Sequence, residues 1–318
     1  MSTAALKNEL PASGQKVASG DLTSDLSISG SELRSLLDLA REVKQKPARF
    51  AESLKYRYLS LLFEKPSLRT RLTFELAIKQ LGGDAVSSVG PIGDREPVKD
   101  IARNLDRWTN AIVARTFAQS TVDELAEWSS VPVINALSDM YHPCQSFADF
   151  QTIEERFDSA KGLKLCFVGD GNNVAHSLML NGARLGMNVC VACPAGYEPN
   201  AEVLAKSVEF ARENGCTVSV TNDPATGVRG AQVVYTDVWA SMGQEAEAEK
   251  RKQDFAPFQV NAGLMSAASS DAIFLHCLPA KRGLEVTDAV MESPQSAVFD
   301  QAENRLHAQK ALLLMLLS

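Results

Sequence analysis

The chain lacks any hydrophobic run long enough to cross a membrane. Its most apolar stretch, residues 311–317, is seven residues long, against the ~20 that a spanning helix needs. The first 25 residues contain no arginine and no apolar block, and carry acids at Glu9, Asp21 and Asp25. That fits neither a signal nor a transit peptide, so a cytoplasmic protein with a flexible tail over residues 1–25 is expected. Positive charge is in deficit: 32 Lys and Arg against 39 Asp and Glu leave a formal net charge of −7. This disfavours a nucleic-acid partner and leaves room for a local anion site. Histidine is scarce, with four residues. The six cysteines (Cys144, Cys166, Cys190, Cys193, Cys216 and Cys277) come with no sign of an oxidising compartment. Cys190 and Cys193 form a C-x-x-C without a second pair or a nearby histidine, so no zinc set is complete. The cysteines read as buried reduced thiols.

What is present is an ordinary globular composition. The length of 318 residues suits two domains of about 150 each. With 45% apolar residues the chain can build a sizeable core. Ser29 and Glu32 form a capping box, and Leu33, Leu36, Leu37, Ala40 and Val43 recur at helical spacing. A strand is expected at 58–63, and a charged helix follows Pro66 and closes at Leu81-Gly82-Gly83. Further strands are expected at 84–88, 111–114 and 131–135, with a helix at 98–107. The second half repeats the alternation, with strands at 164–168, 188–193, 217–220, 233–236 and 273–276. Strands alternating with helices predict an α/β fold of two doubly wound parallel-sheet domains of similar size.

In open α/β sheets, ligands sit beyond the carboxyl ends of strands. Four segments put polar residues there: 63–71, the pair around Asn172, 237–243 and 276–279. Each alone reads as a solvated turn. The first contains Ser67-Leu68-Arg69-Thr70-Arg71 at a helix start. Free N–H groups and the positive dipole end favour an anion there, and a guanidinium binds phosphate in a bidentate fashion. Basic residues in a first turn are otherwise disfavoured by the dipole, so an anion site is the better reading. In His142-Pro143-Cys144-Gln145 a histidine precedes a proline at a helix start, a weak signal by itself. Asp237, opening the segment that ends Ser241-Met242-Gly243, would hold an ammonium group or act as an ordinary helix cap. In His276-Cys277-Leu278-Pro279, strand neighbours point to opposite faces, which argues against a Cys–His nucleophilic pair.

With the ending Glu303-Asn304-Arg305, these motifs give the chain from about Leu26 onward a resemblance to the ornithine carbamoyltransferases, within the aspartate/ornithine carbamoyltransferase superfamily. The resemblance implies a carbamoyl-phosphate-binding domain over 26–137, an ornithine-binding domain over 138–302, and a final helix over 303–318 packed back on the first. It implies that Ser67, Arg69, Thr70 and the amide of Leu68 cradle phosphate, and that Arg115 bridges phosphate and the carbamoyl oxygen. His142 would donate to that oxygen and Gln145 would hold the carbamoyl nitrogen. Arg305 and the backbone at Cys277 and Leu278 would complete this site. Asn173, Asp237, Ser241 and the amide of Met242 would hold the amino-acid head of L-ornithine, with Cys277 orienting the reacting amine. No metal or organic cofactor is implied, because phosphate is already a good leaving group. A homotrimer, or a multiple of one, and a place in arginine metabolism are implied too.

Two positions depart from the family pattern. Leu68 stands where a threonine is usual, which keeps the backbone donor and loses a hydroxyl. Pro91 stands where many relatives place a glutamine that reaches a neighbouring subunit, and proline offers no side-chain donor. The rival readings are a carbamoyltransferase for another amine, such as putrescine or acylated ornithine, and a non-catalytic paralogue. A nicotinamide dehydrogenase is disfavoured, since Gly169-Asp170-Gly171-Asn172-Asn173 lacks the third glycine of the dinucleotide fingerprint.

Overall fold

Two all-parallel sheets carry the chain, and each runs from a central strand outward in both directions. A computed structural model describes residues 16–240 and 247–318. In the first half, β1 (Tyr58–Phe63), α2 (Leu68–Gln80), β2 (Asp84–Val89), α3 (Val98–Leu105), β3 (Ala111–Arg115), α4 (Gln119–Trp128) and β4 (Val133–Leu137) follow α1 (Gly30–Gln45). Their strands order as β2-β1-β3-β4. The second half holds β5 (Lys164–Val168), α6 (Asn173–Arg184), β6 (Asn188–Ala192), α7 (Ala201–Asn214), β7 (Val218–Thr221), α8 (Pro224–Val228) and β8 (Val233–Thr236). It ends with α9 (Ala248–Asp254), α10 (Ala262–Met265), β9 (Ile273–His276) and α11 (Asp288–Met291), its strands ordered β7-β6-β5-β8-β9. Between the halves lies α5 (Pro143–Phe157), and α12 (Val298–Leu317) closes the chain.

Both sheets are the doubly wound type expected. Their topological switch points fall between β1 and β3 and between β5 and β8, where the strand order reverses and a crevice opens beyond the strand ends. The central strands are buried on both faces, as parallel strands covered by helices must be.

One apolar core runs through both halves and includes Leu59, Leu61, Phe63, Phe147, Phe150, Phe167, Tyr235, Leu312 and Leu313. The long helices α5 and α12 pack along each other at its centre, and α12 also packs on α1 and α2 of the first half. Polar side chains stitch α1, α5 and α12 together. Arg34 forks onto Glu154 at 2.7 and 2.6 Å, and Lys44 reaches Asn304 at 2.8 Å. Asn304 donates to Thr152 at 2.9 Å.

Packing begins before residue 26, so the tail expected over residues 1–25 is too long. Val17, Leu22 and Asp25 are buried. Leu22 joins the edge of β4, donating to Val133 O and accepting from Asn135 N, each at 2.8 Å. Asp25 is enclosed by Ser177, Asn181 and Ser146. The strand expected at 131–135 is displaced to Val133–Leu137. Pro132 has no N–H for the ladder and so cannot pair fully inside it.

Candidate active site

The two crevices face one another, and each is lined from strand ends and first helical turns. In the first, Ser67 is the N-cap of α2 but makes no side-chain capping bond. The opening N–H groups of Leu68, Arg69 and Thr70 have no intrahelical acceptor. Thr70 is buried, and its hydroxyl accepts from Arg305 Nη2 at 2.6 Å and Arg115 Nη1 at 3.5 Å. Burial lowers the Arg115 pKa to about 10, and the neighbouring guanidinium of Arg305 adds to the shift. Arg115 therefore stays charged at neutral pH. Three arginines crowd one pocket of a chain whose net charge is −7. That arrangement is stable with an anion between them.

His142 lies beside this pocket, held by its backbone N–H on Ser177 Oγ at 2.9 Å. The turn before it is fixed to the second half by two bonds. Asn173 Nδ2 donates to Ser138 O at 2.6 Å, and His176 Nδ1 meets Met140 O at 2.9 Å. Burial, then Arg305 and Arg115, push the His142 imidazole well below its ordinary value. It is neutral at pH 7, so any N–H it offers is uncharged. Pro143 at the first position of α5 suits the helix start, because that N–H would be unpaired anyway. Gln145, one turn further, is fully buried and donates to Asp149 at 2.8 Å.

In the second crevice the Cys277 thiol donates to Asp237 Oδ1 at 3.0 Å. Burial, followed by the Asp237 carboxylate, raises the Cys277 pKa well above its ordinary value. The group is a protonated donor, not a thiolate nucleophile. His276, as its strand position predicts, turns elsewhere. Its Nδ1 accepts from Leu278 N at 2.8 Å, which leaves Nε2 as the N–H directed to Glu285 at 3.3 Å. Asp237, His276 and Cys277 set three ligand-type atoms within 4.8 Å of one another. With Nδ1 already accepting and the thiol protonated, this cluster is built as a hydrogen-bonded turn.

Asp237 is not an ordinary helix cap. Its Oδ2 accepts from Asn172 Nδ2 at 3.0 Å, while Asn172 Oδ1 caps α6. The asparagine that touches Asp237 is Asn172, and Asn173, the residue expected at the ornithine head group, donates through Nδ2 to Ser138 O. Gly171 lets the turn before Asn172 pack on the 198–199 backbone, since a Cβ there would lie 2.3 Å from Pro199 N. Ser241 and Met242, also expected at the head group, lie outside the described residues. The chain on either side of them is anchored by Arg251, which donates to Asp170 at 2.7 Å and to Trp239 O at 2.9 Å.

Arg69 connects the two crevices. Desolvation lowers its pKa, and Cys277 and Asp237 oppose that shift. The guanidinium therefore lies within electrostatic reach of both groups of the opposite half. Asp149, Gln301 and Tyr235 were not among the residues that the sequence singled out. Gln301 lies four residues before Arg305 on α12 and Asp149 four residues after Gln145 on α5, and these shared helix faces are the signals that could have found those two.

Comparison with known proteins agrees with this geometry. Residues 21–155 match the carbamoyl-P binding domain of aspartate/ornithine carbamoyltransferases, and residues 161–316 match their Asp/Orn binding domain. The chain belongs to the aspartate/ornithine carbamoyltransferase family. An ornithine carbamoyltransferase of Symbiobacterium thermophilum is 52% identical over 292 residues, covering 90% of this chain and 94% of that one. One from Thermococcus kodakarensis is 48% identical over 308 residues, covering 92% and 98%. The solved ornithine carbamoyltransferase of Pyrococcus furiosus superposes with a TM-score of 0.92 at 47% identity, covering 95% of this chain and 98% of that one. As in other members of the family, the fold is two parallel-sheet α/β domains.

Proposed function

We propose that the protein transfers the carbamoyl group of carbamoyl phosphate to the side-chain amine of L-ornithine, giving L-citrulline and phosphate. The observation that carries this reading is Arg69 in the anion pocket within electrostatic reach of Asp237 and Cys277. It sets a phosphate cradle against an ammonium-binding carboxylate.

Carbamoyl phosphate takes the α2 N-terminus, with its phosphate on Ser67, Arg69, Thr70 and the Leu68 amide. Arg115, His142 and Thr70 surround the carbamoyl oxygen, and Arg305 and the backbone at Cys277 and Leu278 close the pocket. Asn173, Asp237, Ser241 and the amide of Met242 hold the amino-acid head of ornithine, and Cys277 orients the attacking amine. The free amine attacks the carbamoyl carbon, forms a tetrahedral oxyanion, and expels phosphate, which accepts the amine's proton. Donors fixed around the oxyanion stabilise the transition state more than the ground state. One such donor is worth about a hundredfold in rate. No cofactor is part of this scheme.

The reading includes a homotrimer or a multiple of one. Leu68, Leu72 and Leu76 are exposed at helical spacing on α2, and the adjoining edge strand β2 exposes Val86 and Val89. An apolar patch beside an uncovered sheet edge suits burial against another copy. A cytoplasmic setting and a role in arginine biosynthesis complete the proposal.

The test is citrulline formation from carbamoyl phosphate and ornithine, beside carbamoylation of putrescine and N-acetylornithine. A clear preference for free ornithine is expected, because a diamine would leave the head-group contacts unpaired. Preference for either competitor overturns the substrate assignment, and no product from any amine overturns the activity.

A further inference from the structure

A primary amide in a pocket presents an acceptor or a donor, depending on which way it is turned. At Gln145 the choice follows from a relay that begins at the backbone. The N–H of His276 is an obligate donor and bonds Gln301 Oε1 at 3.0 Å. Gln301 therefore turns its NH2 the other way, to Asp149 Oδ1 at 2.6 Å and the Tyr235 hydroxyl at 3.0 Å. Asp149 Oδ1 is then an acceptor, and its second donor is Gln145 Nε2 at 2.8 Å. With its NH2 side held on Asp149, the Gln145 amide turns its carbonyl oxygen the other way. That oxygen is buried and has no hydrogen-bond partner among the described residues. Turning the amide over would set two acceptor oxygens 2.8 Å apart. Gln145, Asp149, Tyr235 and Gln301 are all fully buried, so bulk water cannot relax the conflict.

We infer that Asp149 and Gln301 are positioning residues that lock the Gln145 amide as an acceptor, so that the pocket selects a carbamoyl NH2 over an acyl group with no proton to donate. The inference rests on the carbamoyl phosphate reading above and extends it. Its anchor lies in the second half of the molecule. Gln301 stands on α12, His276 ends β9 beside Cys277, and Tyr235 lies on β8 two residues before Asp237. The orientation of an amide in the carbamoyl pocket is thereby set by the strands that carry the opposite crevice.

The test uses binding calorimetry with carbamoyl phosphate, acetyl phosphate and inorganic phosphate, on the full-length protein and on Asp149→Leu. Acetyl phosphate replaces the carbamoyl NH2 by a methyl group. The unaltered protein is expected to bind carbamoyl phosphate more tightly than acetyl phosphate by about tenfold or more. Asp149→Leu removes the acceptor that Gln145 and Gln301 share and leaves the Gln145 amide free to turn over. The preference should narrow by about tenfold, with inorganic phosphate affinity unchanged within about twofold. An unchanged preference in the variant overturns the inference, and so does a parallel loss for all three ligands, which marks a merely structural role. If the variant does not fold, a preference near one in the unaltered protein still overturns it. Failure of the unaltered protein to make citrulline, by contrast, removes the activity on which the inference rests.

Discussion

Arg305 donates to the Thr70 hydroxyl at 2.6 Å, joining residues 235 positions apart. The last helix is thus part of the wall of the anion pocket built by the first half. Its position depends on the packing of α12 between α5, α1 and α2, so the stability of the C-terminal helix and the shape of the pocket are linked.

Thr70→Val removes the acceptor and leaves the buried Arg305 cation without it. A stability loss of about 1–3 kcal/mol is expected, together with weaker carbamoyl phosphate binding, whereas Thr70→Ser should retain most of both. Urea unfolding and calorimetry check this, and equal stability of the Val and Ser variants would contradict it.

Arg69→Ala removes the half-buried guanidinium proposed to hold the phosphate. The KM for carbamoyl phosphate should rise about tenfold to a hundredfold, with unfolding free energy within about 1 kcal/mol of the parent. Steady-state kinetics indistinguishable from the parent would rule Arg69 out of the site.

Cys277→Ala should keep measurable turnover, because the thiol is a protonated donor to Asp237. A loss of about tenfold to a hundredfold in kcat/KM for ornithine is expected, partly restored in Cys277→Ser. Intact-protein mass spectrometry during turnover should find no carbamoylated enzyme. A trapped adduct on Cys277 would show that the thiol is a nucleophile after all.

Burial lifts the Asp25 pKa to about 6, against the partial relief from Ser177, Arg184, Asn181 and Ser146. The folded state therefore holds this proton more tightly than the unfolded chain, whose carboxyl titrates near the ordinary value of about 3.9. The resulting stability is fully present below that ordinary value and is lost as pH rises through about 6. Asp25→Asn should remove this dependence. Relative to the parent, the variant gains stability between pH 4 and pH 7, as thermal unfolding across that range would reveal. A difference that stays constant with pH would refute the assignment.

Much of the fold was legible because parallel strands covered on both faces read as short apolar runs, as in β1, β5 and β8. Residues 17–25 were not, because their order comes from one pairing of Leu22 with β4 and from polar anchors such as Asp25, neither of which leaves a period. Residues 63–71, 142–145 and 276–279 stood out because each places reactive residue types after a strand. That Asn172 reaches Asp237 was not legible either, since it depends on which asparagine caps α6. Asp149 and Gln301 were hidden for a similar reason. The contact that joins them spans 152 residues, and on helices buried all round, polar residues interrupt any amphipathic pattern.

The central claim is that an anion cradle at the start of α2 faces an ammonium site at Asp237 across a single cleft. A crystal structure with a stable analogue that joins a phosphonate to the side-chain amine of ornithine tests this most directly. The account predicts the phosphonate on Ser67, Arg69 and Thr70, with the amino-acid head beside Asp237 in the same molecule. A phosphonate bound away from Arg69, or an amino-acid head that does not reach Asp237, would contradict it.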